Sequence, residues 1–293
     1  MIDLHTHTMY SDGTDTLEEY LTKAQEKNLT YVSITDHNTC RAYEKMKKIN
    51  VKEYYNGKII PGVELNTKVL GIPIEILGYN IDTNIMQKLI DENYITNEQR
   101  CLLEVKRLKE RCKKTKINIP NDFVEKYDYT MWPSKYLHKI IIQDKNNKEY
   151  IDEDAWLDSN VFYRKYMSNP TTIFYIDMDD SLPTFEEASK MIKDSGGLVF
   201  IPHIYEYRQN SERILNHILE NYKFDGIECY YTTFSEEQRD KLLNICDERK
   251  LLISGGSDYH GKNKKDVELG IEKGNLNIKE NIIDNWNIID KKQ

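Results

Sequence analysis

Cysteine is scarce in this sequence, and its spacing excludes the common cysteine-based sites. The five cysteines are Cys40, Cys101, Cys112, Cys229 and Cys246, and no two of them form a C-x-x-C pair. An odd and scattered set argues against a disulfide framework and against a zinc site built from thiolates. We therefore expect free thiols and a cytoplasmic protein.

Long apolar runs are also missing. No stretch approaches the ~20 apolar residues that a membrane-spanning helix requires, and the N-terminal MIDLH shows no basic and apolar leader of the secretory type. With 39% hydrophobic and 31% charged residues, the composition is that of an ordinary globular protein rather than a disordered one. We expect no membrane association, and the sequence indicates no obligate protein partner.

A net positive charge is concentrated in one segment of an otherwise acidic chain. Residues 100–148 contain thirteen Lys/Arg and six Asp/Glu, a net charge of +7 in a chain whose total is −8. Such a segment is either a solvated helical face or a basic wall that attracts an anionic substrate. Charge alone leaves both explanations open.

Short apolar segments alternate with helical patterns over much of the chain. Three helices are predicted to begin at S/T-x-x-E/Q capping boxes, which start at Thr16, Thr184 and Ser235. The predicted strands are residues 31–35, 59–65, 74–80, 197–202, 225–231 and 251–256. This alternation favours an α/β fold with a parallel sheet or barrel.

The alternation is interrupted between about residues 90 and 180. Cys101, Val105, Leu108 and Cys112 are spaced four, three and four apart, which predicts one apolar face of a long helix. Shorter helical patterns follow at 134–142 and 155–167. We predict that residues 1–90 and 180–293 form the α/β body and that residues 91–179 form an inserted, mostly helical, basic subdomain.

Histidines and carboxylates gather at the predicted strand ends. Five of the seven histidines lie there: His5, His7, His37, His203 and His260. Acidic residues accompany them: Asp12, Asp36, Glu64, Glu75, Glu228 and Asp258. Sheets and barrels of α/β proteins place their sites at the carboxyl ends of the strands. Imidazole and carboxylate groups without thiolate suit Zn²⁺, Mn²⁺ or Fe²⁺.

Each of these fragments also has a plain structural explanation. An H-x-H pair can arise by chance, the aspartate of TDH can cap a helix, and GSD can be an ordinary turn. The joint pattern favours a metal site, because every fragment sits at the same end of a different strand. Alternation along a strand would turn His5 and His7 to one side, where both reach one metal.

The motifs DLHTHTMYSDG, ITDHNT, GVE, ILGY, GGLVFIPH, GIECYY and GSDYHG resemble those of the PHP (polymerase and histidinol phosphatase) superfamily of metal-dependent phosphoesterases. They follow the order of that family across almost the whole chain. Within it, the sequence is most similar to the stand-alone nucleotide and oligonucleotide phosphoesterases. The resemblance implies a distorted (β/α)7 barrel with a helical insertion and a trinuclear metal centre at the carboxyl ends of its strands.

The resemblance also implies a ligand for each metal. The first metal would take His5, His7, Glu64 and Asp258, the second Glu64, Glu75 and His203, and the third Asp12, His37 and His260. A metal-bound hydroxide held by Glu64, His203 and Asp258 would attack phosphorus. Around this set, we expect Asp36 to orient His37 or to cap the following helix. Glu228 is expected to support a ligand histidine or to cap a neighbouring loop.

Two departures from the family pattern bear on metal and substrate. Glu75 stands where the family usually has histidine, and a fourth carboxylate favours harder metals such as Mn²⁺. In the insertion, TMWPSKYL replaces a segment in which related enzymes tend to have Arg-Pro-His. If that arginine binds phosphate, the contact is lost here or is made by Lys135, Arg164 or Arg208.

We therefore predict a hydrolase that cleaves a phosphate monoester or diester of a nucleotide or of short RNA or DNA, as a nucleoside bisphosphate phosphatase or a 5'-3' exonuclease does. A phosphatase of a small metabolite such as histidinol phosphate is the alternative. Asp12 and the basic insertion argue against it. An amidohydrolase-like enzyme and a non-catalytic binding module are more remote alternatives.

Overall fold

The computed structural model describes residues 1–271, 273 and 276–287, so the end of the predicted body, residues 288–293, lies outside the described residues. The strands are β1 Ile2–Asp3, β2 Tyr31–Val32, β3 Lys58–Ile59, β4 Gly62–Val69, β5 Ile72–Tyr79, β6 Leu198–Ile201, β7 Gly226–Tyr230 and β8 Leu252–Gly255. The α-helices are α1 Leu17–Glu26, α2 Arg41–Met46, α3 Thr83–Asn93, α4 Asn97–Cys112, α5 Pro133–Ile141, α6 Glu153–Leu157, α7 Ser159–Phe162, α8 Phe185–Asp194, α9 Ser211–Asn221 and α10 Glu236–Arg249. Within the described part of the chain, none of these helices is long and apolar enough to cross a bilayer.

Two compact units make up the chain, and each has its own hydrophobic core. The barrel unit consists of Met1–Tyr94 and Leu182–Gln293, and the inserted unit consists of Ile95–Ser181. The division predicted from the sequence, with an insertion at 91–179, is kept as a proposal for the domain organisation.

The strands of the barrel unit form two sheets. Strands β1, β2 and β3 are parallel neighbours, and the second sheet has the order β4-β5-β6-β7-β8. Isolated parallel bridges, Thr6 with Tyr259 and His37 with Glu64, continue the pairing from one sheet towards the other on both sides. The two sheets and these bridges together give the α/β arrangement of a distorted barrel, as predicted.

One strand, β5, departs from the predicted parallel arrangement. β5 is antiparallel to both β4 and β6, whereas β6, β7 and β8 are parallel. The cause is the two-residue connection Leu70–Gly71, in which both residues have positive φ, 55° and 73°. Such a short connection joins antiparallel strands only, because parallel strands need a crossover of a dozen or more residues.

Helix starts agree with the capping boxes in the sequence. Thr16, Thr184 and Ser235 each accept a hydrogen bond from the backbone N–H three residues later. The side-chain oxygen of that later residue accepts a hydrogen bond from the backbone N–H of the cap residue. These bonds satisfy N–H groups that the first turn leaves without partners. The three predicted helix starts are confirmed.

The inserted unit is built on the helix that the apolar spacing predicted. Val105, Leu108 and Cys112 of α4 are buried, and Cys101 packs against the same core. Leu137 of α5 lies in this core as well. The four-three-four spacing therefore marked a real buried helix face.

Candidate metal centre

The two N-terminal histidines follow β1 and share one side of the chain. The intervening Thr6 pairs with Tyr259, so His5 and His7 turn the same way. Their ring centroids are 5.3 Å apart, and each Nε2 lies 3.2 Å from Oε2 of Glu64. Both histidines are fully buried, and Glu64 is 1% exposed. The alternation expected from the sequence is therefore realised in the structure.

The β4–β5 hairpin supplies two carboxylates. Glu64 pairs in register with Leu77, so Glu75, two residues before Leu77, lies diagonally across on the same face. His203 follows β6, and its Nε2 is 3.0 Å from Oε1 of Glu64 and 3.5 Å from Oε2 of Glu75. His37 Nδ1 lies 3.3 Å from Glu64 Oε2. Glu64 thus stands at the centre of the cluster.

The segment after β8 closes the cluster. Oδ1 of Asp258 is 3.3 Å from His7 Nε2 and 3.4 Å from His260 Nδ1. Asp12 Oδ1 lies 3.2 Å from His260 Nε2 and 3.8 Å from His37 Nε2. All nine residues predicted as ligands therefore meet in one place.

Four subsets of this cluster have ligand atoms within 4.8 Å of one another. They are His7–Asp12–His37–His260, His5–His7–Glu64, His5–His203–Asp258 and His37–Glu64–Glu75. The first subset contains the whole set predicted for the third metal, with His7 added. The other three differ in detail from the predicted partition, so the assignment of ligands to individual metals stays a prediction.

The donor groups fit divalent cations. Both ring nitrogens of His7, Nδ1 of His37 and Nδ1 of His203 are buried and form no hydrogen bond of acceptable geometry with any residue that the structure describes, although buried polar atoms are almost always paired. Carboxylates from Glu64 and Asp258 are buried beside them, and buried anions require compensating positive charge. Divalent cations held by nitrogen and oxygen would satisfy both requirements.

Burial and mutual charge shift the pKa values of the clustered groups in opposite directions. Burial, followed by the nearby carboxylate of Glu64, raises the pKa of Glu75 to about 7. Burial disfavours the charged form of His203, but the hydrogen bond and charge of Glu64 outweigh it and raise its pKa to about 9. Burial lowers the pKa of His37 to about 4, so its ring is in the neutral form that binds metals. Metal binding would therefore displace protons from part of the cluster.

Glu228 and Asp36 support the cluster in different ways. Glu228 is fully buried; its Oε1 lies 3.0 Å from Nδ1 of His5, and its Oε2 accepts the backbone N–H of His203 at 2.8 Å. Of its two expected roles, Glu228 therefore has the first: it contacts His5, a histidine of the predicted ligand set. Such a contact fixes the ring orientation and leaves Nε2 facing the cluster.

Asp36 has neither of its two expected roles. It accepts hydrogen bonds from the backbone N–H and hydroxyl of Thr8, at 2.7 and 2.6 Å, and from the hydroxyl of Ser11 at 2.7 Å. The following helix begins after Cys40 without a side-chain cap. The expectation was wrong because Asp36 is buried beneath the loop that carries Asp12, and that loop supplies the donors. Asp36 therefore positions the Asp12 loop instead of His37.

Sequence patterns missed two side chains that hold Asp258. The hydroxyl of Tyr231 donates to Asp258 Oδ2 at 2.8 Å, and the ammonium of Lys264 binds the same oxygen. Oδ1 is thereby left to face the histidines. The sequence has twenty-one tyrosines. The only signal that distinguishes Tyr231 is its position at the end of the GIECYY motif. A lysine six residues after a ligand has no comparable signal.

The three substrate-binding candidates are exposed. Lys135 and Arg164 belong to the inserted unit, and Arg208 lies in the 3₁₀ segment Ile204–Asn210 directly after His203. Arg208 has φ 52° and ψ −121°, a backbone conformation that side chains rarely adopt. A phosphate contact by any of the three stays a prediction.

Two curated relatives are named as an exoribonuclease and a diphosphodiesterase. A 5'-3' exoribonuclease Rnm of Escherichia coli is 25% identical over 262 residues, which cover 88% of this chain and 84% of that protein. A phosphoribosyl 1,2-cyclic phosphate 1,2-diphosphodiesterase of Eggerthella lenta is 22% identical over 268 residues, covering 89% and 94%.

Solved structures share the fold. A candidate metal-dependent phosphoesterase of Bifidobacterium adolescentis matches with a TM-score of 0.63 and 22% identity, over 96% of this chain and 93% of that one. An amidohydrolase of Chromobacterium violaceum, with bound sulfate and no metal, matches with a TM-score of 0.61 and 20% identity, over 92% and 90%. At these identities the two structures establish the architecture alone.

A family model described as the PHP domain matches residues 3–229. This match spans most of the chain and contains seven of the nine clustered residues. The other two, Asp258 and His260, lie after β8. The predictions of an α/β fold and of a metal-dependent phosphoesterase are confirmed with it. The chain belongs to the PHP domain family.

Proposed function

We propose that this PHP-family enzyme hydrolyses a phosphate ester at the 5' end of a short RNA or of a nucleotide, with two or three divalent metals held by the nine clustered residues. The observation that carries the proposal is the cluster itself. It combines buried carboxylates around Glu64 with buried histidine nitrogens that form no hydrogen bond within the described part of the chain. The cytoplasmic location expected from the free cysteines is part of this proposal.

The residues divide into a buried and an open side. His5, His7 and Glu64 are buried and would hold the metals from below. The side chains of Asp12, His37 and Glu75 are 56%, 24% and 28% exposed, so the substrate phosphate would approach from their side. Divalent cations in such a site supply Lewis-acid stabilisation of phosphoryl oxygens and activation of water.

The donor set suits Mn²⁺, Fe²⁺ or Zn²⁺. Five imidazoles and four carboxylates face the cluster, and no thiolate is among them. The hydroxyl of Tyr207 accepts a hydrogen bond from the backbone N–H of Glu75 at 2.8 Å. This bond fixes this part of β5 beside His203. Glu75 adds negative charge where the family usually has a neutral histidine, and harder metals are favoured by that charge.

The substrate class rests on the relatives. Exoribonucleases of Escherichia coli and Salmonella typhimurium, 25% and 26% identical, are named for hydrolysis from the 5' end of RNA. A small metabolite such as histidinol phosphate remains the alternative substrate. An RNA substrate has several phosphates and histidinol phosphate has one, so activity on RNAs of increasing length distinguishes the two proposals.

A metal-resolved activity screen tests this proposal. Protein stripped of metal and reconstituted with Mn²⁺, Fe²⁺ or Zn²⁺ is given 5'-phosphorylated RNA of two to ten nucleotides, a nucleoside 3',5'-bisphosphate and histidinol phosphate. We expect mononucleotides to be released from RNA, or phosphate from the bisphosphate. Turnover of histidinol phosphate alone would overturn the nucleic-acid assignment.

Removing the two supports of Asp258 should weaken metal binding. Tyr231→Phe and Lys264→Met each take away one of the hydrogen bonds to Oδ2, and loss of such a contact costs about 10-fold in metal affinity. Isothermal titration of the metal-stripped protein measures this directly. Lys262→Met, an exposed neighbour, is the matched control, and equal affinities in all variants would show that neither side chain positions Asp258.

A further inference from the structure

A basic cleft lies within the inserted unit, where no function has been assigned. Its volume is about 360 Å³, within the usual range of ligand sites. Four cations line it, Lys106, Arg107, Arg111 and Lys114, and Ile176 and Asp177 form the facing wall. The four cations follow one another along the last two turns of α4 and just beyond its end.

Arg107 stabilises the wall of the cleft, because its guanidinium group is already bound to neighbouring residues. Its Nη1 donates to the carbonyl oxygen of Asp177 at 2.6 Å, and its two nitrogens bind both carboxylate oxygens of Asp180, the closest pair at 2.8 Å. A bidentate pair of this kind has a defined geometry. It fastens the segment around Asp177 to α4 and thereby fixes the second wall.

The other three cations are available to a ligand. Among the residues that the structure describes, Lys106, Arg111 and Lys114 form no ion pair. Glu110 also lines the cleft, but its carboxylate binds Lys113 at 2.6 Å. The cleft therefore presents three unpaired positive charges.

Nearby lysines of the same segment are engaged differently. Lys109 donates to the carbonyl oxygen of Asn121 and lies 3.8 Å from Glu125, and Lys113 is paired with Glu110. Lys116 lies over the ring of Tyr150, 5.7 Å from its centroid. These three lysines are outside the cleft and have local partners, although they belong to the same basic stretch of sequence.

We propose that this cleft binds the phosphodiester backbone of single-stranded RNA. Lys106, Arg111 and Lys114 would contact phosphate oxygens, for which lysine and arginine are the usual partners. Ile176 and the aliphatic stems of the cationic side chains offer an apolar surface to the sugar and base. Phosphate contacts do not read sequence, so binding should be independent of base sequence. The inference rests on the proposed RNA substrate and assigns it a second contact region.

Two triple variants with equal change of charge test the cleft. One carries Lys106→Glu, Arg111→Glu and Lys114→Glu; the other carries Lys109→Glu, Lys113→Glu and Lys116→Glu. Binding of a fluorescent ten-nucleotide RNA to the full-length, metal-stripped protein is measured by anisotropy from 50 to 200 mM salt. This readout does not require hydrolysis, so failure of the proposed activity and failure of the cleft are distinguishable.

We expect the cleft variant to bind RNA at least about 10-fold more weakly, with the slope of log affinity against log salt reduced by about 2, since each phosphate contact on a single strand contributes about 0.7. The control variant should change affinity less than about 2-fold. Replacement of the three cleft residues by glutamine tests the same contacts if the glutamate variant fails to fold. An equal loss in both charge-reversal variants would show a general field of charge and overturn the cleft, as would no loss in either. Equally tight binding of AMP would make the cleft a mononucleotide site and overturn the RNA assignment.

Discussion

Replacement of His5 or Asp258 by alanine is expected to abolish phosphate release while the fold is retained. Nε2 of His5 lies 3.2 Å from Glu64 and 3.6 Å from Asp258, so each substitution removes a donor from the buried side of the cluster. Loss of a supporting contact already costs 10- to 100-fold in metal affinity or activity, and we expect loss of a ligand to cost more than about 100-fold. Initial rates with limiting metal, together with circular dichroism, measure both effects.

The histidines outside the cluster provide the control for this experiment. His217 is a half-buried residue of α9 that contacts Asn221, and His217→Ala should keep wild-type activity. His5→Gln serves as a second variant if alanine at this buried position prevents folding. Near wild-type hydrolysis by a folded His5 or Asp258 variant at limiting metal would show that the site is assigned to the wrong residues.

Removal of metal is expected to have the second largest effect. Dialysis against a chelator should eliminate activity, and Mn²⁺ should restore it at least as well as Zn²⁺, because the cluster contains four carboxylates and no thiolate. Burial and the charge of Glu64 raise the pKa of Glu75 to about 7, so a cation bound beside this carboxyl group would favour its ionised form. Activity after titration of each metal into the stripped protein is the measurement.

Glu75→His tests whether this residue takes part in that preference. The substitution removes one negative charge and restores the histidine that related enzymes have, so the preference should move towards Zn²⁺. An identical metal profile in wild type and variant would show that Glu75 is not a ligand, although it lies 3.5 Å from Nε2 of His203.

The cluster was accessible from the sequence because its residues occupy strand ends. His5, His37 and His203 each follow a short strand, and such positions converge in any α/β barrel. The motif order then allowed the family and fold to be predicted. No long-range contact had to be known for this step.

Other features depend on contacts that no local pattern contains. The antiparallel β5 follows from the two positive φ angles at Leu70–Gly71, and the sequence VLGI is not a strong hairpin signal. The partners of Asp36, which are Thr8 and Ser11, depend on how the first loop folds over the second strand end. The contact of Lys264 with Asp258 likewise arises only after both strand ends have come together.

The basic segment shows a further limit. Its net charge is visible in the sequence, but the partners that each cation finds after folding are not. Lys109 and Lys113 are bound to neighbours, whereas Lys106, Arg111 and Lys114 line a cleft. Charge composition therefore predicted the presence of a basic surface and not which residues form it.

Anomalous X-ray diffraction from crystals of the Mn²⁺-loaded, catalytically active protein tests the central claim most directly. The account predicts two or three manganese peaks within the cluster, with Glu64 a ligand to at least one of them and His5, His7 and Asp258 around the same position. Active protein whose manganese peaks lie away from these residues would contradict it.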